Sequence, residues 1–224
     1  MRRIRGLLLD SGGVLVSPRR GRWNPRFDFE EVLLGHAPQT DLSLLSGAIE
    51  AGDRYLRSAE SSGRREDYHR AVLSQLGVTQ PSRELLGDLE RPLDEPVFEP
   101  FVEVADALAL ARSLSLRLAV VTDNWGTSEI LRRLYEQVGL ASFFDVIVVS
   151  EELGCRKPDS RMFDSAAQRL GLLRSECLVI DDSPPLVAAA IALGYQGVAV
   201  VRTGPLPDEL PAVRSLREVV EPLA

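Results

Sequence analysis

Short apolar runs recur along the chain, and a polar cluster follows several of them directly. Such runs predict buried strands, here at residues 6–9, 116–121, 146–149, 177–180 and 197–201. Continuous apolar strands, as opposed to alternating ones, are typical of a parallel sheet that is covered on both faces.

Segments with apolar residues at helical spacing separate these strands. They predict helices at residues 102–113, 128–138, 161–170 and 186–193, and Gly194 is a natural stop for the last of them. Strands that alternate with helices favour a doubly wound α/β fold. We therefore expect a Rossmann-like parallel sheet at the core of the protein.

Residues 18–97 have a different pattern, because they contain no convincing strand. Amphipathic helices are predicted at 29–34, 42–51, 67–76 and 83–89. A predicted hinge with three prolines then leads back to the core: Pro92, Pro96 and Pro100. The simplest organisation is an α/β core formed by residues 1–17 and 98–224, with residues 18–97 inserted after the first strand as a helical cap.

The composition limits which binding partners and which cellular compartment we expect for the protein. The 224 residues carry a net charge of −7, which does not favour nucleic acid or an anionic membrane as a partner. The apolar run at 7–9 is too short for a signal peptide, and no run approaches the ~20 apolar residues that span a bilayer. Two cysteines, Cys155 and Cys177, are too few for a disulfide framework, so we expect a reducing cytoplasm. The oligomeric state stays open.

Polar side chains follow the predicted strands at the points where the strands end. Asp10, Thr122 and the pair Asp181 and Asp182 come directly after three of the apolar runs. Because ligands bind beyond the carboxyl ends of parallel strands, we expect these side chains to face one cleft. Lys157 follows the strand at 146–149 after a short loop, so it can join them.

This set of residues has a chemical logic. Clustered carboxylates repel one another and need a cation between them, and oxygen ligands beside a phosphate favour Mg²⁺. With that charge offset, a carboxylate can attack an anionic phosphoryl group. Lys157 adds a positive charge, Thr122 a hydroxyl donor, and Gly12 and Gly13 allow backbone amides to approach closely.

Four short motifs, in this order, resemble those of the haloacid dehalogenase-like hydrolases. They are LLDSGGVL at 8–15, VVTDN at 120–124, KPD at 157–159 and IDDSP at 180–184. Each motif alone is weak, but four in order at strand ends are specific. The resemblance extends over the whole chain, and it implies that the helical insert is a C1-type cap.

The resemblance also implies a metal site. Asp10 would be the nucleophile and a metal ligand, and Gly12 would contribute its backbone carbonyl. Asp182 would be a direct ligand, and Asp181 would bind directly or through water.

A phosphate site is implied beside the metal. Thr122 would bind the phosphoryl group together with neighbouring amides, at Gly13, Asp123 and Asn124. Lys157 would stabilise the charge of the nucleophile and of the transferring group.

Three positions depart from the family pattern. Most phosphatases of the family have a general acid/base Asp where this chain has Gly12, and losing such a group costs ~10²–10⁴ in rate. Good leaving groups, as in anomeric sugar phosphates, acyl phosphates or aryl phosphates, suit this departure, and some members that resemble this chain at Gly12 are sugar-1-phosphate phosphatases. Leu186 stands where relatives often have Asn or Asp, and Asp123 where they often have Asn.

The expected function is therefore a Mg²⁺-dependent phosphatase that acts on a small phosphorylated metabolite through an aspartyl-phosphate intermediate. Two alternatives remain open. Gly12 and Leu186 would also suit a catalytically impaired binding or regulatory protein. A metal-independent 2-haloacid dehalogenase would use Asp10 as well, but Asp181 and Asp182 argue against it.

Overall fold

A computed structural model of the chain describes residues 3–58, 63–91 and 96–224. The chain divides into two compact units. One combines Met1–Ser17 with Phe98–Ala224, and the other is Pro18–Val97.

The helices and strands follow one another in a regular order. In chain order they are β1 (Gly6–Leu9), β2 (Val16–Pro18), α1 (Phe29–His36), α2 (Leu45–Arg57), α3 (Arg65–Gln75), α4 (Arg83–Glu90), β3 (Phe98–Pro100), α5 (Val104–Ser113), β4 (Arg117–Thr122), α6 (Ser128–Gln137), β5 (Val146–Val149), α7 (Ser150–Leu153), α8 (Ser160–Leu170), β6 (Cys177–Asp181), α9 (Pro184–Ala192), β7 (Gln196–Val200), β8 (Ala212–Val213) and α10 (Leu216–Val220).

A six-stranded sheet forms the centre of the first unit, with the strand order β5-β4-β1-β6-β7-β8. All of its pairings are parallel. Leu9, the last residue of β1, is in register with Val120 of β4 and Ile180 of β6. The prediction of an α/β, Rossmann-like parallel sheet is confirmed, and the carboxyl ends of β1, β4 and β6 lie side by side.

Helices α8 and α9 pack against the strands of the sheet. Helix α8 packs on β4, β5 and β1, while α9 packs on β6 and β7. The side chain of Asp159 starts α8 by accepting the Arg161 N–H (3.0 Å), and Gly171 ends it in the left-handed region. Met162 and Phe163 are buried against the sheet, and burying a side chain of that size contributes about 1.5–3 kcal/mol.

The second unit contains helices α1 to α4. Helices α2 and α3 approach each other closely at Gly52, where a Cβ atom would lie 2.6 Å from the Val72 side chain. Phe29, Tyr68 and Leu73 are buried in this unit. None of the described helices is both long and apolar enough to cross a membrane.

The structure differs from the sequence prediction mainly in short elements. Helix α7 replaces the predicted short loop between β5 and Lys157, and it ends at the left-handed Gly154. The predicted helix at 42–51 is a 3-10 turn followed by the longer α2. Of the predicted hinge prolines, Pro100 belongs to β3, whereas Pro92 lies outside the described residues.

Candidate active site

Lys157 bridges two carboxylates at the carboxyl edge of the sheet. Its Nζ atom donates to Oδ1 of Asp10 at 2.5 Å and to Oδ2 of Asp181 at 2.7 Å. The side chains of Lys157 and Asp181 are 4% and 2% exposed. The fold therefore assembles a buried ionic group from the residue after β1, the last residue of β6 and the loop before α8.

The charges of this group perturb one another. Burial raises the pKa of Asp10 to about 7, with Lys157 opposing the rise and Asp181 adding to it. Burial alone would lower the pKa of Lys157, but Asp10 and Asp181 together raise it above its ordinary value. One ammonium thus does not balance the carboxylates around it.

Asp182 adds a third carboxylate to the cluster. Asp10, Asp181 and Asp182 each offer an oxygen atom, and these atoms lie within 4.8 Å of one another. Partial loss of solvent and the neighbouring Asp181 raise the pKa of Asp182. An oxygen-only donor set with excess negative charge fits a hard divalent cation, and Mg²⁺ is the usual one beside a phosphate.

Gly13 makes the approach of Asp182 possible. The residue has φ +73°, and a Cβ atom there would lie 2.2 Å from Oδ2 of Asp182. Its amide donates to the Val16 carbonyl (3.0 Å) within the loop. This amide, predicted to bind phosphate, thus has a partner within the protein, and the residue also leaves space for Asp182.

Arg202 holds the loop that follows Asp10. Its Nε donates to the Gly13 carbonyl and its Nη2 to the Val14 carbonyl, each at 2.7 Å. Glu103 pairs with the same guanidinium at 2.8 Å, and the Phe101 ring centroid lies 3.4 Å from its central carbon. Arg202 follows the carboxyl end of β7, but it is not among the residues that the sequence motifs predict for the site.

A buried tyrosine fixes the residue next to Asp10. The Tyr135 hydroxyl donates to Oγ of Ser11 at 2.7 Å, and Ser11 itself is buried. The Tyr135 ring packs between Phe98 and Phe144, with centroid distances of 5.5 and 5.1 Å. Tyr135 was not predicted as a site residue, because nothing in the local sequence links it to Ser11.

The motif at the end of β4 supports the lysine as well as lining the site. Thr122 is buried at the end of the strand. Oδ1 of Asp123 accepts the Lys157 backbone N–H at 3.2 Å, which gives a structural reason for Asp at this position. The Asn124 backbone N–H donates to Oγ of Ser150 (3.0 Å), so this amide, predicted to bind phosphate, has a partner within the protein.

The acidic pair directly precedes helix α9, and Asp181 contacts the residue at its start. Ser183 is the N-cap residue, and its backbone N–H donates to Oδ1 of Asp181 at 2.9 Å. Both Asp181 oxygens are therefore engaged, one by Lys157 and one by Ser183.

Fold and site together define a class: a Rossmann-like protein with a lysine-bridged acidic cluster at the carboxyl edge of its sheet. The sequence pattern of the haloacid dehalogenase-like hydrolases matches residues 4–194. Because this match covers most of the chain, the protein belongs to that family of hydrolases.

Both phosphatases and dehalogenases are similar to this chain. A phosphatase from Mycobacterium tuberculosis is 31% identical over 144 residues, which cover 58% of this chain and 66% of that protein. An (S)-2-haloacid dehalogenase from a Pseudomonas species is 31% identical over 127 residues, 54% of each chain. The solved L-2-haloacid dehalogenase RSc1362 has a TM-score of 0.71 at 18% identity, covers 99% of both chains, and supports the fold alone. The chain thus spans about half to two thirds of these curated relatives.

Proposed function

We propose that the protein is a Mg²⁺-dependent phosphatase that acts on a small phosphorylated metabolite through an aspartyl-phosphate at Asp10. The observation that carries this proposal is the cluster of Asp10, Asp181 and Asp182, whose ligand atoms lie within 4.8 Å of one another. Phosphatases among the relatives support it. Within this proposal, Pro18–Val97 is a C1-type cap that selects the substrate.

The proposed metal ligands follow from which oxygens are free. Asp181 already binds Lys157 and the Ser183 amide, so it would act through water. Asp10, Asp182 and the Gly12 carbonyl would be the direct ligands. When bound, Mg²⁺ supplies the positive charge that keeps the nucleophile ionised and offsets the charge of the phosphoryl group.

The chain's own residues supply the remaining chemistry. A carboxylate oxygen of Asp10 attacks phosphorus, the ester P–O bond breaks, and the leaving oxygen takes the electron pair. Lys157 holds the carboxylate in place for this attack. Thr122 donates its hydroxyl to a phosphoryl oxygen. Water then cleaves the acyl phosphate and restores Asp10.

The absence of a side chain at residue 12 defines the substrate class. Gly12 cannot protonate the leaving oxygen, which removes about 10²–10⁴ of rate for a poor leaving group. Substrates whose leaving group is stable without a proton lose less. We therefore propose a sugar 1-phosphate or a metabolite with a similarly good leaving group.

The competing function is 2-haloacid dehalogenation, which the similarity to the Pseudomonas enzyme favours. A haloacid carries its own carboxylate next to the carbon that is attacked. Asp181 and Asp182 beside Asp10 would repel that carboxylate unless a cation intervened. A phosphoryl group would be repelled as well, but the proposed phosphatase binds Mg²⁺ between the anions, whereas the dehalogenase alternative is metal-independent. The acidic pair therefore favours phosphate chemistry.

An activity assay separates these functions. The protein is incubated with p-nitrophenyl phosphate in Mg²⁺ and then in EDTA, and separately with 2-chloropropionate, while Asp10→Asn serves as the inactive control. The proposal predicts phosphate release that needs Mg²⁺ and is lost in Asp10→Asn. Halide release without metal would contradict the phosphatase proposal and identify a dehalogenase. Tight binding of a phosphorylated ligand without turnover would identify a binding or regulatory protein.

A further inference from the structure

A cavity of about 560 Å³ lies at the amino ends of the strands, at the opposite end of the sheet from Asp10. Its charged lining residues are Arg112, Arg117, Asp145 and Arg169. Arg117 is the first residue of β4 and Thr122 the last, so at about 3.3 Å per residue the cavity is ~16 Å from the catalytic edge. The cavity is therefore separate from the candidate active site.

Positive charge exceeds negative charge in this cavity. Arg112 pairs with Oδ2 of Asp145 at 2.7 Å, and the same oxygen also accepts the Leu118 N–H at 2.8 Å. Arg117 and Arg169 have no carboxylate partner within the described parts of the chain. In a protein of net charge −7, two uncompensated guanidinium groups in one cavity are a notable local excess.

Backbone contacts hold these two arginines in place. Nη1 of Arg117 donates to the Leu170 carbonyl at the end of α8, and Nη1 of Arg169 donates to the Ile147 carbonyl of β5 at 3.0 Å. These two hydrogen bonds occupy one nitrogen of each guanidinium. The other N–H groups of the two arginines have no acceptor among the described residues. Each guanidinium is therefore held in place and still has N–H groups that can donate to a ligand.

We propose that this cavity binds a phosphate-bearing anion with at least two negative charges, such as the diphosphate group of a small metabolite. Guanidinium forks match the geometry of phosphate oxygens, and two held forks lose little conformational entropy on binding. The volume lies within the range of about 300–1,000 Å³ for small-molecule sites. This site does not depend on the proposed catalytic function.

Calorimetric titration with inorganic diphosphate tests the site. The whole chain is used in EDTA, so that no metal supports binding at the acidic cluster. Wild type is compared with Arg117→Gln, Arg169→Gln and their combination. The matched control is Arg133→Gln, because Arg133 is an exposed arginine of α6 that pairs with Glu129. We expect one diphosphate per chain, bound about tenfold or more weakly after each cavity substitution and unchanged in the control.

Two further variants keep the result interpretable. Arg169→Lys retains the charge but not the fork, so we expect an intermediate affinity even if the glutamine variants fold poorly. Lys157→Met removes the catalytic lysine and should leave diphosphate binding intact. Equal affinity in the Arg117/Arg169 double variant, loss of binding in Lys157→Met, or no binding to wild type at millimolar diphosphate would each overturn the proposal.

Discussion

Gly13 keeps Asp182 within reach of Asp10, because a larger residue would occupy the position of the Asp182 carboxylate. The space is a property of the backbone, since φ is +73° and Oδ2 of Asp182 lies 2.2 Å from where a Cβ would be. A residue without a functional group thereby controls the geometry of the proposed metal site.

Replacing Gly13 with alanine tests this control. We expect Gly13→Ala to displace Asp182, to weaken Mg²⁺ binding, and to lower Mg²⁺-dependent phosphate release about 10²-fold, as a displacement of 1 Å can. The Mg²⁺ concentration for half-maximal activity measures the effect.

Gly204 offers the matched control. It also has a positive φ, +78°, but nothing lies within 4 Å of its Cβ position. Gly204→Ala therefore introduces similar backbone strain without the clash, and it should leave the Mg²⁺ dependence unchanged. Equal losses in both variants would mean that strain, and not the position of Asp182, explains the effect.

Tyr135 acts at the same scale through one hydrogen bond. Tyr135→Phe removes the donor to Ser11. We expect a loss of about 1 kcal/mol in the free energy of unfolding and a Tm lower by about 2–4 °C, together with a lower kcat because Ser11 precedes the glycine loop. Thermal unfolding and steady-state kinetics measure the two effects.

Tyr195→Phe is the control for this substitution. The Tyr195 hydroxyl donates to Oδ1 of Asp164 at 2.7 Å, and that contact is not in the acidic cluster. A similar loss of stability without a change in kcat is expected. If kcat falls equally in both variants, Tyr135 has no particular part in positioning the site.

At the scale of elements, the loop after β1 is held from the end of β7 through Arg202. Arg202 donates to two carbonyls of that loop. We expect Arg202→Gln to lower kcat about tenfold while KM changes less, because the loop positions the proposed nucleophile and the proposed metal ligands. Steady-state kinetics at saturating Mg²⁺ measure the changes in kcat and KM separately.

Arg214 provides the comparison for Arg202. Its Nη1 also donates to two backbone carbonyls, those of Val201 and Gly204, at 2.9 and 2.7 Å. Arg214→Gln removes a similar structural contact and should spare kcat. A wild-type kcat in Arg202→Gln would contradict the positioning role.

The sequence predicts strands with a continuous apolar run well, and elements without such a run poorly. Strands β1 and β5 have the predicted bounds, and β4 is shifted by one residue, because their continuous apolar runs are unambiguous. Strand β8 has only two residues, and helix α7 is a single turn of four, SEEL, in which no helical period can show. These elements depend on tertiary pairing, which no local pattern records.

Residues of the candidate site are likewise predictable only where a sequence pattern marks them. The rule that ligands bind at carboxyl ends of strands brought Asp10, Lys157 and Asp181 together in advance. The contact of Tyr135 with Ser11 joins residues 124 positions apart, and only the packing of α6 creates it. Arg202 lies just beyond β7 and was within reach of the same rule, but a single arginine gives no motif.

At the scale of the whole molecule, the two edges of the sheet carry opposite charge. The carboxyl edge holds three carboxylates around one lysine, and the amino edge holds the arginine cavity. A fold shared by phosphatases and dehalogenases does not choose between the two activities. The three carboxylates at the carboxyl edge favour the phosphatase activity if they bind a cation.

Calorimetric titration of the protein with Mg²⁺ tests most directly whether the acidic cluster binds a cation. The account predicts one Mg²⁺ per chain, bound at least about tenfold more weakly in Asp182→Asn. Asp106→Asn, at an exposed carboxylate of α5 paired with Arg217, should bind as wild type does. Equal Mg²⁺ affinity in wild type and Asp182→Asn, or no binding to wild type, would contradict a cation shared by Asp10 and Asp182.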